Sequence, residues 1–186
     1  MNSQTVWRVR LTAALEANEH LPQSRYVQFA TVRADGRPAN RTLVFRGFQD
    51  PGDHLLFATD RRSEKIVHLK ANPWVEVCWY LSASREQFRV LGRIELIGAA
   101  ADQIRTRIWN GLSEPSRQSF TWPKPSSPRA GREEFTRPVP TMPPPSFALL
   151  VVHPEEIDHV DLRPDPQTRT IFRRVDETWI HEVVNP

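Results

Sequence analysis

The sequence predicts a single domain of the α+β class, dominated by antiparallel β-sheet. The chain has 186 residues, 39% of them hydrophobic, which is enough for one core of ordinary size and too few for two. About seven to nine segments rich in aromatic and β-branched residues follow one another through short turns. Only two or three helical segments interrupt them. Because closure removes exposed strand edges, this succession of hairpins favours a barrel over an open sheet.

The first half of the chain opens with an amphipathic helix over residues 5–17, in which Trp7, Leu11 and Leu15 share one face. A second, short helix over residues 63–70 has Ser63 as its N-cap, and Pro73 follows its end. The alternating segments around these helices predict five strands, over residues 26–33, 41–48, 54–58, 74–81 and 87–97.

In the second half, Ile104, Ile108 and Leu112 stand at four-residue steps and predict a helix over residues 99–112, with a further helical piece around Ser116. Residues 123–146 hold eight of the 17 prolines, and we interpret them as a long loop within the single domain 1–186. The residues after this loop are too few for a second core. Their four predicted strands, over residues 147–152, 157–162, 170–174 and 178–184, therefore return to the first sheet.

Composition excludes several classes of function. The 25 Lys and Arg residues barely exceed the 22 Asp and Glu residues and are spread along the chain, so we expect no nucleic-acid partner. The sequence contains no run of eighteen apolar residues, so we expect no membrane-spanning helix. The N-terminus lacks the pattern of a secretory signal. With Cys78 as the single cysteine, the expected location is the reducing cytoplasm.

Motifs for common catalytic sites are missing from the sequence. The six histidines have no metal-ligand spacing, so we expect no metal site, and no G-x-S-x-G elbow is present. Cys78 lies in an apolar strand and is interpreted as a buried, inert thiol. The chain has only seven glycines and neither G-x-G-x-x-G nor G-x-x-x-x-G-K, so a bound phosphate would have to be held by side chains.

Two groups of cations and hydroxyls could hold such a phosphate. Arg41 and Arg46 stand at the ends of one apolar strand segment. Thr59, Ser63 and Lys65 stand at the following strand-to-helix junction, where helix N–H groups also favour an anion. Arg41 could reach the same site from the neighbouring strand. By chemistry alone, exposed edge charges and an ordinary helix cap are the more common explanation of these residues.

Four segments in one order and spacing add a resemblance to a known family. They are RTLVFR at 41–46, LFATDRRSEK at 56–65, Asn72-Pro73, and EQFRVLGRIE at 86–95. Over about residues 24–98 the chain resembles the pyridoxamine 5'-phosphate oxidase family of FMN-binding split β-barrels. Trp109 and the segment FTWP at 120–123 resemble its Alr4036-type branch. The resemblance implies a mainly β, antiparallel split β-barrel with flanking helices, and a homodimer with FMN at the interface.

The resemblance also implies roles for individual residues in cofactor binding, and it identifies no catalytic residue. Thr59, Ser63 and Lys65 would hold the FMN phosphate. Gln87 would approach from the sheet, and Arg169 would approach the ring from the other subunit. The residues that would lie along the flavin and its ribityl chain are Arg41, Thr42, Leu43, Val44 and Arg46.

Departures from the family pattern concern mainly the substrate. Glu64 replaces the family's arginine before Lys65, and Arg62 could compensate by reaching in; Arg46 replaces a lysine. The Tyr-Arg-Ser set that binds substrate phosphate in the family falls near Ile108, Leu112 and Ser116, without its arginine. The family's C-terminal Arg-x-His falls near Asp165 and Gln167. We therefore expect the flavin site to be kept and vitamin-B6 oxidase activity to be weak or lost.

The leading hypothesis is an FMN-dependent oxidoreductase acting on an unidentified small organic substrate. In it Trp109 and Trp122 line the face of the flavin, although plain core packing would explain both equally well. The alternatives are a non-catalytic flavin-binding protein for storage or sensing, a relative that binds deazaflavin F420, and a barrel that binds nucleic acid through arginines and aromatics.

Overall fold

The structure, a computed structural model, describes residues 5–49, 52–98 and 103–186. The predicted turn residues Asp50 and Pro51 and the predicted first helical turn at 99–102 lie outside these ranges. The helices are α1 Val6–Ala17, α2 Glu64–Ala71, α3 Gln103–Asn110 and α4 Glu114–Gln118. The strands are β1 Tyr26–Val32, β2 Pro38–Gln49, β3 His54–Asp60, β4 Trp74–Leu81, β5 Glu86–Ile97, β6 Phe147–Asp161, β7 Thr168–Val175 and β8 Thr178–Val184.

Six of the strands close into an antiparallel barrel. The strands are ordered β3-β2-β1-β4-β5-β6-β7-β8, and an additional pairing of β3 with β6 closes the ring. In that pairing Leu55 lies opposite Val152 and Asp60 lies opposite Phe147. Strands β7 and β8 continue the sheet outward from the second half of β6. The predicted α+β barrel with flanking helices is confirmed.

Strand β6 corrects the predicted segmentation of the C-terminal region. The segments predicted as separate strands, 147–152 and 157–162, form one strand of 15 residues. Pro154 lies between the two predicted segments, opposite Gly92, and a register shift between Leu91 and Gly92 lets the strand continue past it. Gly92 permits this close approach, because a Cβ there would lie 2.3 Å from the carbonyl oxygen of His153.

The main core lies between α1 and the barrel. Trp7 and Leu11 of α1 are fully buried against it. Within the barrel, Phe45 and Trp79 pack edge to face with ring centroids 4.8 Å apart. The end of α1 is tied to the β4–β5 turn by Asn18, whose amide donates to Ser84 Oγ over 3.1 Å and accepts from the backbone N–H of Ala83 over 2.7 Å.

A second, smaller core anchors the proline-rich loop. Trp109 of α3 is fully buried there and contacts Phe147, while its indole N–H donates to the Thr141 carbonyl over 3.1 Å. The Arg105 Nε donates to the Phe147 carbonyl over 3.0 Å. The loop itself contains one short 3-10 turn, Arg132–Phe135, between Pro123 and Ser146. Trp109 therefore packs in a core rather than lining a flavin.

Cys78 is half-buried on the outer face of β4, whereas its neighbours Val77 and Trp79 fill the barrel. The prediction of a fully buried thiol was therefore wrong, although burial still raises the pKa of the Cys78 thiol. Among the described helices, none has the length and apolar character needed to cross a bilayer.

Candidate functional site

Thr59, Ser63 and Lys65 meet at the junction between β3 and α2, and we call them the Lys65 cluster. Thr59 lies near the end of β3 and is almost completely buried. The Lys65 ammonium donates to Thr59 Oγ1 over 3.1 Å and to Ser63 Oγ over 2.9 Å. Ser63 occupies the N-cap position of α2, but its hydroxyl donates to the Asp60 carbonyl instead of capping the helix. The first N–H groups of α2 therefore receive no cap from Ser63.

Arg41 faces the Lys65 cluster from β2. One of its guanidinium nitrogens donates to the Phe29 carbonyl over 3.0 Å and to Thr31 Oγ1 over 2.8 Å. Burial lowers the pKa of Lys65, and the charge of Arg41 lowers it further, while Asp60 acts in the opposite direction. The two cations are thus close enough to repel each other.

Arg46, on the same strand as Arg41, is half-buried at the other end of the apolar segment. Burial lowers its pKa, and nearby Arg25 adds to this effect. Its Nε atom is buried and donates to no acceptor in the described part of the chain. A buried donor without an acceptor is costly, and a ligand atom would remove that cost.

The three cations Arg41, Arg46 and Lys65 share one property. Within the described ranges, none of them has a carboxylate oxygen within 4.0 Å, although each is partly withdrawn from water. Carboxylates are not scarce, because ten other arginines form ion pairs: Arg8, Arg37, Arg62, Arg89, Arg93, Arg137, Arg163, Arg169, Arg173 and Arg174. Half-buried cations without counterions are what an anion-binding site requires. The donor set therefore fits the phosphate of FMN.

A buried histidine behind Arg41 is a residue that sequence reasoning missed. His68 Nδ1 lies 3.0 Å from Thr31 Oγ1, the hydroxyl that also accepts from Arg41. On its other side, His68 Nε2 lies 3.5 Å from a carboxylate oxygen of Glu64. These contacts fix the orientation of the Arg41 guanidinium. The spacing of Glu64 and His68, one helical turn apart, was the available signal.

Arg62 does not take the place of the missing family arginine. Its guanidinium pairs with Asp60, with one N–O distance of 2.6 Å, and donates to the Trp122 carbonyl over 2.9 Å. Arg62 therefore links the end of β3 to the proline-rich loop. Trp122 is 40% exposed, and its ring packs against Phe135 of that loop.

The other residues predicted to contact FMN divide between the two faces of β2. Leu43, like Arg41, faces the barrel and packs against the main core. Thr42 and Val44 lie on the outer face, where Thr42 accepts a hydrogen bond from Gln28 over 3.2 Å. A ligand that lies on one face of β2 would therefore contact the side chains of only one of these two groups.

Gln87 and Arg169 lie elsewhere in the chain. Gln87, on the outer face of β5, is three strands from β2, or roughly 14 Å at normal strand spacing. Arg169, on β7, forms a two-pronged ion pair with Asp158, with N–O distances of 3.0 and 2.8 Å. Asp158 also binds Arg89, and both arginines together hold the pKa of Asp158 below its usual value despite burial, which opposes them. One chain alone does not bring either residue to the Lys65 cluster.

Comparison with known proteins shows which family this chain resembles. Residues 4–98 match the family described as "Pyridoxamine 5'-phosphate oxidase, FMN-binding domain". A relative from Arabidopsis thaliana named pyridoxine/pyridoxamine 5'-phosphate oxidase 2 is 40% identical over 194 residues, covering 97% of this chain and 96% of the relative. A Myxococcus xanthus protein named pyridoxine/pyridoxamine 5'-phosphate oxidase is 30% identical over 84% of this chain and 79% of its own length.

Two solved structures share the fold. A pyridoxamine 5'-phosphate oxidase-related, FMN-binding protein from Nostoc punctiforme superposes with a TM-score of 0.94 at 41% identity, covering 99% of this chain and 100% of that one. PhzG from Burkholderia lata, solved with tetrahydrophenazine-1-carboxylic acid, superposes with a TM-score of 0.79 at 19% identity. It covers 100% of this chain and 99% of its own, and at this identity it supports the fold alone.

Proposed function

The chain belongs to the pyridoxamine 5'-phosphate oxidase family of FMN-binding proteins, and we propose that it is an FMN-dependent oxidoreductase of a small organic substrate. The observation that carries the proposal is the group of half-buried cations without counterions: Arg41, Arg46 and Lys65. A dianionic phosphate supplies the missing negative charge, and FMN is the cofactor of this family.

The phosphate would be held by the Lys65 cluster and Arg41. The hydroxyls of Thr59 and Ser63 are already held beside Lys65, and Ser63 would exchange its hydrogen bond to the Asp60 carbonyl for one to the phosphate. Arg41 is held in place by Thr31, which His68 supports from behind. The uncapped N–H groups at the start of α2 favour the same negative charge.

Arg46 would serve the remainder of the cofactor. When bound, FMN supplies two-electron redox chemistry, and the protein orients it and stabilises charge. The unpartnered Nε of Arg46 offers a donor toward the ribityl chain or the ring, on the strand that also carries Thr42, Leu43 and Val44. We propose no residue of this chain as a general acid or base for the substrate.

Pyridoxine 5'-phosphate and pyridoxamine 5'-phosphate are the first substrates to test, because the Arabidopsis thaliana relative is named for them. The positions that correspond to the family's phosphate-binding set argue for low activity. Ile108 and Leu112 pack in the second core, and Ser116 Oγ lies 2.9 Å from Ser113 Oγ. These three positions carry no cation, so a phosphorylated substrate would have to find one elsewhere.

We also propose that the site is completed in a homodimer. Tyr26 and Tyr80, about half exposed, lie on the outer sheet face together with Gln87 and Arg169. Pairing of two such faces would cover these aromatics. It would also bring Gln87 and Arg169 of one subunit toward the flavin held by the other.

Two successive experiments test the proposal: identification of the bound cofactor, and measurement of flavin reduction and reoxidation. Protein purified after growth without added flavin, or incubated with FMN, is denatured, and the released cofactor is identified by chromatography. We expect FMN. In one experiment, the bound flavin is reduced chemically under anaerobic conditions and then mixed with oxygen. In a second experiment, pyridoxine 5'-phosphate or pyridoxamine 5'-phosphate is supplied as the reductant before oxygen is added.

Reduction by either phosphate followed by reoxidation would support the oxidase activity. Rapid reoxidation after chemical reduction, with neither phosphate acting as reductant, would support an oxidoreductase with another substrate. A bound flavin that no reductant reaches at a useful rate would favour storage or sensing. Failure to bind any flavin would overturn the proposal.

A further inference from the structure

A cavity of about 470 Å³ lies between α1 and the extended part of the sheet. It shares no residue with the Lys65 cluster, which is built from β3 and α2. One wall is formed by small residues of α1, Ala13, Ala14 and Ala17, and the opposite wall by side chains of β5 to β8. Ala13 and Ala17 are exposed, so the cavity opens to solvent beside them. Its size is typical of sites for small metabolites.

The floor of this cavity is polar although it is buried. The side chains of His159 and Glu86 are 7% and 8% exposed, and His159 Nε2 lies 2.8 Å from a Glu86 carboxylate oxygen. His159 also stacks on Phe88 with ring centroids 4.2 Å apart. Burial lowers the pKa of His159, and Arg10 acts in the same direction, whereas Glu86 and Asp161 oppose them. Burying His159 and Glu86 costs free energy. The barrel does not need these polar groups, since β5 and β6 could pair equally well with apolar side chains at the two positions.

Arg10 is the cation of this cavity that lacks a counterion. One of its guanidinium nitrogens donates to Thr170 Oγ1 over 3.1 Å and lies 3.4 Å from His159 Nδ1. Among the described residues it has no carboxylate within 4.0 Å. The two carboxylates of the cavity contact other groups: Asp161 pairs with Arg163 over 2.7 Å, and Glu86 lies 2.8 Å from His159 Nε2 and 3.5 Å from Arg163. Arg10 is therefore the charged side chain of the cavity that has no ion-pair partner among the described residues.

We propose that this cavity binds a small organic anion, with one carboxylate or phosphate group on Arg10 and hydroxyl groups on the opposite wall. A guanidinium offers two parallel donors to either oxyanion. The hydroxyls of Ser84, Thr168 and Thr170 line the cavity and can exchange hydrogen bonds with hydroxyls of the ligand. The site holds no nucleophile and lies apart from the Lys65 cluster, so its role is binding.

Glycerol 3-phosphate and glycerate are suitable probes, because they carry similar hydroxyl groups and differ in the anion. Glycerol serves as the uncharged control. Each is titrated by calorimetry into protein saturated with FMN, so that the nucleotide site is filled. Three variants accompany the wild type: Arg10→Gln removes the cation, Ala13→Leu fills the mouth of the cavity, and Arg37→Gln removes an exposed, ion-paired arginine elsewhere.

We expect at least one of the two anions to bind, glycerol to give no signal, and Arg10→Gln to weaken binding about tenfold or more, the usual effect of losing a charge-assisted hydrogen bond. Ala13→Leu should also weaken it, and Arg37→Gln should leave it unchanged. If only glycerol 3-phosphate binds, the site accepts a phosphate group, and if only glycerate binds, it accepts a carboxylate group.

Two results would overturn the inference. In the first, neither anion binds to the FMN-saturated protein. In the second, an anion binds with the same affinity to wild type, Arg10→Gln and Ala13→Leu. FMN affinity is measured in parallel and should not change in Arg10→Gln.

Discussion

Lys65 is a partly buried cation whose charge is unfavourable in the protein alone and would be favourable beside the proposed phosphate. Its ammonium group is withdrawn from water and lies near the Arg41 cation, and both effects lower its pKa. Its two partners are neutral hydroxyls, which compensate only part of the cost of burying a charge. A bound phosphate would reverse the balance, because an anion favours the charged form of lysine.

This reversal predicts a pH dependence that Lys65→Met should remove. Because the pKa of Lys65 in the folded protein lies below the ordinary value of 10.5, the unfolded chain binds that proton more readily. The free energy of unfolding of FMN-free wild type should therefore rise with pH between the lowered pKa and 10.5. Urea denaturation at several pH values measures it.

Lys65→Met has no such proton to release, so the free energy of unfolding of wild type should increase relative to that of the variant as the pH rises. With FMN bound, the free energy of unfolding of wild type should instead decrease relative to that of the variant as the pH rises. A stability difference that is independent of pH in the absence of FMN would contradict the interpretation of Lys65.

At the scale of elements, the junction of β3 and α2 and the long strand β6 position the site. The β3–α2 junction brings Thr59, Ser63 and Lys65 together within seven residues, so local geometry is enough to assemble the cluster. Strand β6 closes the barrel on β3 and thereby fixes the end of β3. It then bends at the register shift opposite Gly92 and carries the sheet outward to β7 and β8.

Gly92→Ala should disrupt this bend. The added methyl would lie 2.3 Å from the backbone oxygen of His153, which cannot move without breaking the pairing of β5 and β6. We expect a loss of about 2 kcal/mol or more in the free energy of unfolding. Gly98→Ala is the matched control, since its methyl would meet only the flexible end of Arg61 at 3.4 Å. It should change stability by about 0.5 kcal/mol or less. Equal stability of both variants would show that the bend does not depend on Gly92.

The sequence predicted more of the site than of its surroundings. Spacing within one junction placed Thr59, Ser63 and Lys65 together, and Arg41 joined them through the adjacent strand. Long-range contacts were not predictable in this way: the hydrogen bond from Arg62 to the Trp122 carbonyl, the support of Arg41 by His68, and the burial of Trp109 depend on three-dimensional packing. The single strand β6 was missed because a proline normally marks a break, and only its pairing partner shows the compensating register shift.

At the scale of the whole molecule, one chain holds two separated sets of cofactor residues predicted from sequence. Arg41 and the Lys65 cluster lie at one end of the barrel, and Gln87 and Arg169 lie on the outer face several strands away. A second copy of the chain would unite them, as the proposed homodimer requires. The exposed tyrosines on the same face are consistent with such pairing.

Mixed dimers test this arrangement. Lys65→Met and Arg169→Met, each deficient in FMN binding alone, are denatured together and refolded. If each site takes Lys65 from one subunit and Arg169 from the other, every heterodimer regains one intact site, or about one site in four of the mixture. Recovery of FMN binding to that level, together with the mass of a dimer in analytical ultracentrifugation, is expected. No recovery from a dimeric mixture would show that each site is built within one chain.

The proposed role of the Lys65 cluster and Arg41 is to bind the phosphate of FMN. Riboflavin lacks only that phosphate, so the affinities of wild type and Lys65→Met for FMN and for riboflavin, measured by fluorescence titration, test this role. Wild type should prefer FMN strongly, and the variant should lose about 10- to 100-fold in FMN affinity, the value of a charge-assisted hydrogen bond, with riboflavin affinity unchanged. Equal affinity of wild type for the two flavins, or an equal loss for both in the variant, would show that these residues do not bind the phosphate.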